Sequence, residues 1–310
     1  MIGKPYAGGG ISMANSQETF RKEIKFHGRR GNIRQGALMD AAFLGWDSMS
    51  LQYGLVDADG MIPEETDRQH VHDYDQALFF ISSDPDDMLH LGAEIEIDMG
   101  AEGIRFRTLI PRVMVIPKGT PHFSPVVRDL KRPFFFMSVN LTKEFKAVAA
   151  DISKEPCTGP WNTFLGDFFD NFRELNFSAN DPYHYGGERQ QASDGMTTFT
   201  PGDAMGLPIT FAWSTVKKPH NLGPWRADGK HHPHKHDDFD EALILLSLDL
   251  DDLTELHAVA DFCTGDEEKD QYHHMLTKAT VMAMPKGNFH LPLVFREVEK
   301  PCVFITIGNH

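Results

Sequence analysis

Short apolar runs bounded by turn residues recur along the chain. Residues 77–81, 112–116 and 134–139 are each flanked by Gly, Pro or Asp, and the pattern returns at 242–246, 280–284 and 302–307. Runs of this length and punctuation predict β-strands, and their number predicts an all-β protein. One stretch has the helical period instead. Trp161, Phe164, Leu165, Phe168, Phe169, Phe172 and Leu175 form a single apolar stripe, which predicts an amphipathic helix. That stripe suits packing onto the strands or, alternatively, a partner. Residues 180–200 are polar and glycine-rich and predict a loop, residues 1–15 a tail, and residues 17–25 a short helix.

The pattern is duplicated. Asp75-Gln76-Ala77-Leu78-Phe79-Phe80-Ile81-Ser82 returns as Asp240-Glu241-Ala242-Leu243-Ile244-Leu245-Leu246-Ser247, an offset of 165 from Asp75 to Asp240. Asp84, Asp86, Asp87, Leu91, Ala93 and Gly100 keep that offset as Asp249, Asp251, Asp252, Leu256, Ala258 and Gly265. After a few inserted residues the offset is 168, and Val113-Met114-Val115-Ile116-Pro117-Lys118-Gly119 returns as Val281-Met282-Ala283-Met284-Pro285-Lys286-Gly287. Two copies of one β-unit predict two closed or nearly closed antiparallel barrels. The expected division is a tail and short helix over 1–35, a first barrel over 36–142, a connecting segment with one helix over 143–199, and a second barrel over 200–310.

Composition narrows the classes. With 41% hydrophobic and 24% charged residues, the 310-residue chain is that of an ordinary globular protein. It holds no apolar stretch of the ~18 residues that a spanning helix needs, and its first residues lack the apolar core of a secretory signal. A cytoplasmic location is expected. The net charge of −15 opposes binding to nucleic acid or to anionic membranes. Cys157, Cys263 and Cys302 form no CxxC pair, so neither a disulfide framework nor a thiolate zinc site is expected. The acidic stretches Asp84-Pro85-Asp86-Asp87 and Asp249-Leu250-Asp251-Asp252 lack the glycine and distal glutamate of a calcium loop and read as turns.

The candidate chemistry is carried by histidines, and it too occurs twice. His70-Val71-His72 is followed by Gln76 and later by Pro117-Lys118-Gly119-Thr120-Pro121-His122; His234-Lys235-His236 is followed by Glu241 and later by Pro285-Lys286-Gly287-Asn288-Phe289-His290. Residues two apart on a strand share a face, so each HxH pair offers two imidazoles to one point. A carboxylate and a third histidine complete a set suited to a divalent metal.

These residues resemble the cupin superfamily, whose first motif contains HxH, three or four residues and Glu, and whose second contains PxGxxH. Their pairing resembles a double cupin (bicupin). The second copy fits both motifs; the first has Gln76 in the acidic slot. The flanking glycine and asparagine of the family are replaced by Ser83 or Leu248, and by Val126 or Val294. The resemblance implies tandem jelly-roll β-barrels with a short helical segment between them. It also implies one metal site of His70, His72, Gln76 and His122, and another of His234, His236, Glu241 and His290. The implied metal is Fe(II) foremost, with Mn(II), Ni(II) or Zn(II) as alternatives.

Three imidazoles and one carboxylate leave one or two positions on a six-coordinate ion for water, oxygen or substrate, and keep it Lewis-acidic. The site with Glu241 is therefore favoured for catalysis. Arg105 and Arg107 in the first copy are set opposite Tyr272 and His274 in the second, on the strand before PxGxxH. Lining the mouths, they would serve the reaction, the arginines by gripping a substrate carboxylate; solvent exposure is the alternative for the arginines. The expected function is a metal-dependent, dioxygenase-like oxidoreductase acting on a small carboxylate or phenolic substrate, in a chain able to form a homo-oligomer. A non-catalytic metal- or ligand-binding cupin and a zinc or nickel isomerase or hydrolase are the alternatives.

Overall fold

A computed structural model describes residues 18–63, 68–88, 90–100, 104–146, 148–149, 176–177, 193–199, 207–222, 233–265 and 271–310. Among these residues, helix is confined to a 3-10 turn, Glu18–Phe20, and a single α-turn, Ala41–Leu44. All else that is regular is antiparallel β-structure.

The first barrel apposes two sheets. Its inner sheet runs in the order Ile33–Met39, Ser50–Val56, Phe134–Asn140, Gln76–Ser82 and Arg112–Ile116. Its outer sheet runs Gly60–Met61, Val126–Arg128, Glu94–Met99 and Ile104–Thr108. The second barrel repeats this with Thr280–Met284, Asp240–Ser247, Cys302–Asn309 and Ile209–Val216 inside, and His220–Leu222, His290–Val298, Glu255–Thr264 and Tyr272–Lys278 outside.

The inner sheets meet each other, which explains why their strands read as unbroken apolar runs. Every residue of Gln76–Ser82 is buried. Leu78 and Phe80 point into the first barrel, whereas Ala77, Phe79 and Ile81 point into a layer shared with the second barrel. In the second barrel Leu243 and Leu245 face its own core, and Ala242, Ile244 and Leu246 face the shared layer. Phe79 stacks on Phe211 across it with ring centres 4.0 Å apart. Outer strands alternate in residue type instead: Ile95, Ile97 and Met99 face the core, and the charged Glu94, Glu96 and Asp98 lie on the opposite face, where arginines pair with them. Burying a Phe or Leu of this kind contributes roughly 1.5–3 kcal/mol, so the shared layer binds the two barrels into one body.

Three boundaries differ from the sequence expectation. The segment expected as a short helix over 17–25 forms the 3-10 turn and then a strand, Arg21–Glu23, which joins the second barrel by pairing with Thr280–Met284. The first barrel extends past residue 142, since Val148–Ala149 pairs with His70–Val71. The second begins before residue 200, since Ser193–Phe199 pairs with Ile209–Val216. Arg21–Glu23 and Val148–Ala149 are too short to carry a periodic signal, and Ser193–Phe199 is a mostly polar stretch; pairing decides them. The helix expected over 161–175 lies outside the described residues.

Candidate metal centres

In each barrel the three histidines converge by the same route. His70 and His122 are bridged across neighbouring strands through reciprocal backbone hydrogen bonds of 2.9 Å. His234 and His290 are bridged likewise, at 3.1 and 2.9 Å. The glycine of each PxGxxH turn, Gly119 and Gly287, has a positive φ and returns its N–H to the carbonyl of the second histidine, His72 or His236. The turn thereby fixes the third histidine against the first pair. Ring centres lie 5.1, 4.3 and 5.1 Å apart among His70, His72 and His122, and 4.9, 4.4 and 5.5 Å apart among His234, His236 and His290. The triads are near copies.

The fourth positions are not. Glu241 Oε2 lies 2.9 Å from His290 Nε2 and 3.4 Å from His236 Nε2, while His234 Nε2 is 3.2 Å from His236 Nε2. All four donors fall within 4.8 Å of one another, which suits one divalent ion. Burial raises the Glu241 carboxyl, but the hydrogen bonds and charge of His236 and His290 outweigh it and hold the group well below its usual range. It is a carboxylate at neutral pH. Gln76 is instead pinned by its own amide, donating to Asn140 Oδ1 at 2.9 Å and Ser138 Oγ at 3.1 Å. The position of Asn140 is taken in the second barrel by Gly308, where a Cβ would meet Thr210 Oγ1 at 2.6 Å and the Phe239 ring at 2.7 Å. Phe239 needs that space to stack on His236, with ring centres 4.0 Å apart.

The mouths differ as well. In the first, the segment that follows Phe134–Asn140 lies over the triad: Phe145 packs on His72 at 5.3 Å, the Lys146 carbonyl accepts from His72 Nδ1 at 2.8 Å, and the Tyr74 hydroxyl contacts the Lys146 backbone. His70 and His122 donate from Nδ1 to the Arg68 and Thr120 carbonyls, both at 2.9 Å. These bonds place the proton on Nδ1 and turn Nε2 towards the common point. All three imidazoles are at most 2% exposed. In the second barrel the His236 side chain is 22% exposed, beside Phe239 and His310, whose rings lie 4.1 Å apart.

Arg105 and Arg107 do not line the first mouth, contrary to expectation. They project from the outer face, where Arg105 pairs bidentately with Asp98 at 2.7 and 2.8 Å and Arg107 pairs with Glu96 at 2.7 Å. Phe106 between them is the residue that points inward. The cross-strand pairs Ile97–Phe106 and Phe262–His274 show that His274 is the counterpart of Phe106, an offset of 168. The inserted residues fall between Gly265 and Tyr272, before this strand, and a one-residue slip in alignment exchanges the two faces.

His274, 1% exposed, is therefore inside the second barrel. Its Nε2 lies 2.9 Å from Thr264 Oγ1, and its ring meets that of Tyr272 at 4.7 Å. Thr264 is in turn the cross-strand partner of His290. A polar row Thr264–His274–Tyr272 thus adjoins the second triad; where it has Thr264 and His274 the first barrel has Met99 and Phe106. Thr264 escapes sequence reasoning because threonine is common in strands; its signal is that it stands where the first copy has Met99.

No family model and no curated protein matches the sequence. Among solved structures the fold is similar to that of Bacillus subtilis oxalate decarboxylase. A tryptophan-to-phenylalanine variant matches with a TM-score of 0.56 at 12% identity, over 93% of this chain and 76% of that one. An arginine-to-alanine variant matches with a TM-score of 0.57 at 11% identity, over 100% and 86%. A structure concerned with the Mn(II) centres of the same enzyme matches with a TM-score of 0.57 at 12% identity, over 93% and 76%. At this identity the likeness is one of fold.

Proposed function

We propose, from the double-cupin (bicupin) fold of this chain, that it is a metal-dependent oxidoreductase, dioxygenase-like, acting on a small carboxylate or phenolic substrate in its second barrel. The observation that carries this reading is the convergence of His234, His236 and His290 with the Glu241 carboxylate in a mouth that leaves His236 partly exposed. A divalent ion held by these four residues would supply a Lewis-acidic centre and, as Mn(II) or Fe(II), one-electron chemistry.

The chain's own residues then have separable tasks. Glu241, ionised and with Oε2 2.9 and 3.4 Å from the Nε2 atoms of His290 and His236, acts as a ligand rather than a base. His290 is oriented by the Asn288 carbonyl, which accepts from its Nδ1 at 3.1 Å. Phe239 and His310 wall the mouth with aromatic surface. Thr264 and His274 offer a hydroxyl and an imidazole next to His290, able to hold or move a proton beside the substrate. Among the described residues, the ion, Thr264 and His274 are the groups placed to meet a small anionic substrate in this mouth. The first centre, sealed and lacking an acidic residue, would serve as a structural or auxiliary site. Free Cys263 and Cys302 agree with a reducing, cytoplasmic setting.

A second reading is a carbon–carbon lyase, favoured by the likeness to oxalate decarboxylases. Fold alone does not choose a reaction. The test is to load the chain with Fe(II) or Mn(II) without oxygen, then admit oxygen with a panel of small acids and phenols. Oxygen uptake in step with substrate loss, abolished by His290→Ala, is expected. Carbon dioxide release without oxygen uptake would establish the lyase. Neither, with metal bound, would mark a non-catalytic binding protein.

A further inference from the structure

The outer face of the second barrel holds a group of metal-type ligands that the interior chemistry does not use. Cys263 and His273 are cross-strand partners, and Asp261 lies two residues back on the same face. Cys263 Sγ is 3.4 Å from His273 Nδ1 and 4.0 Å from Asp261 Oδ1, and that nitrogen is 2.8 Å from Asp261 Oδ1 and 3.1 Å from Oδ2. A tetrahedral ion with bonds of ~2.3 Å to sulfur and ~2.0 Å to nitrogen or oxygen holds such ligands about 3.3–3.5 Å apart. Movements of about half an ångström or less would seat one.

The duplication shows what is special here. At the matching positions the first barrel has Glu96, Asp98 and Arg105, and the cross-strand pair is the bidentate Asp98–Arg105 ion pair. The second barrel keeps the neighbouring arginine: Arg296, the counterpart of Arg128, donates to Asp261 Oδ2 from Nε at 3.1 Å and from Nη2. The Asp–Arg pair itself has become Cys–His. A cation supplied by the chain is replaced by two ligands that accept a cation from solution.

We propose that Asp261, Cys263 and His273 form a third, exterior site for a thiophilic divalent metal of the zinc type. Arg296 holds Oδ2 and leaves Oδ1 to the ion, as partners behind metal-binding carboxylates do. Asp261 and Cys263 are buried while the His273 side chain is 54% exposed, so the ion enters from solvent, and solvent completes its coordination. On binding, the thiol proton leaves to solvent as the sulfur–metal bond forms, and the imidazole proton passes from Nδ1 to Nε2. Before binding, burial and Asp261 push the thiol up to about 12 against the opposing charge of Arg296. The interior sites take no part, since none of these three residues faces a barrel interior.

Cobalt(II) is the probe, titrated into the metal-free full chain without a histidine tag at pH 8. One equivalent of thiolate-to-cobalt charge-transfer absorption is expected, and the interior sets contain no sulfur that would give it. Cys263→Ser should abolish the band and Cys157→Ser should preserve it. His273→Ala, at an exposed position that the fold tolerates, should weaken cobalt binding at this band at least about tenfold. Absence of the band in the unaltered chain, its survival in Cys263→Ser, or unchanged affinity in His273→Ala would each overturn the assignment.

Discussion

The two barrels hold closely similar histidine triads, built by the same bridges and turns, and differ in the fourth position, the inner wall and the covering of the mouth. In the first, a strap through Phe145 and Lys146 covers the triad, the acidic slot holds an amide pinned by Asn140 and Ser138, and the inner wall is Met99 and Phe106. In the second, the slot holds an ionised glutamate, the wall is Thr264 and His274, and His236 reaches solvent. A duplicated scaffold thus shows which contacts are needed to build a triad and which are needed to use one. The reciprocal strand bridges and the PxGxxH turn build it in both barrels; the charge, polarity and access around it differ.

The largest effect expected from breaking this contrast is at the inner wall. His274→Phe installs the first-barrel residue, and should lower kcat about 10²-fold or more while metal content is retained. Metal analysis beside steady-state kinetics checks it; an unchanged kcat would remove the polar row from the mechanism. Next is the packing beside His236. Gly308→Ala puts a Cβ 2.6 Å from Thr210 Oγ1 and 2.7 Å from Phe239, and overpacking of this kind costs about 1–3 kcal/mol. Denaturant unfolding should show that loss, with weaker metal binding at the second site.

A smaller change is expected at the strap. Phe145→Ala removes the ring over His72, and a loss of ~1–1.5 kcal/mol in local closure corresponds to about a tenfold faster removal of first-site metal by chelator. Equal rates in the two proteins would show that the strap is no barrier. The smallest effect concerns Glu96, whose carboxyl is held low by its hydrogen bond to Arg128, against burial, and by the charges of Arg107 and Arg105. A depressed carboxyl stabilises the fold above its ordinary pKa and loses that contribution as pH falls through its folded value. Glu96→Gln should therefore be less stable than the unaltered chain at neutral pH. The gap should shrink below about pH 4, measured by unfolding across pH.

Much of this was legible before the structure. The apolar runs located the inner strands because both their faces are buried, and the HxH and PxGxxH spacings located both triads because turn and strand geometry depend on so few residues. The side on which Arg105 and Arg107 project was not legible. The inserted residues that move the offset from 165 to 168 precede the strand Tyr272–Lys278, and misplacing them by one residue reverses inside and outside along it. The exterior Asp261–Cys263–His273 group was hidden for a related reason. His273 joins Asp261 and Cys263 only through cross-strand pairing, so Cys263 looked isolated in sequence. The strap over the first triad has no periodicity at all; only its contacts with His72 and Tyr74 reveal it.

The central claim is that one triad works and the other is sealed, and metal stoichiometry with activity in two matched variants tests it most directly. His290→Ala and His122→Ala are each measured for bound divalent metal and for turnover of whichever substrate the panel identifies. The account predicts that each variant loses the metal of its own barrel, that His290→Ala loses turnover, and that His122→Ala retains it within about threefold, roughly the ±0.5 kcal/mol of a change remote from the working site. Loss of turnover in His122→Ala with the second-site metal still bound would contradict it.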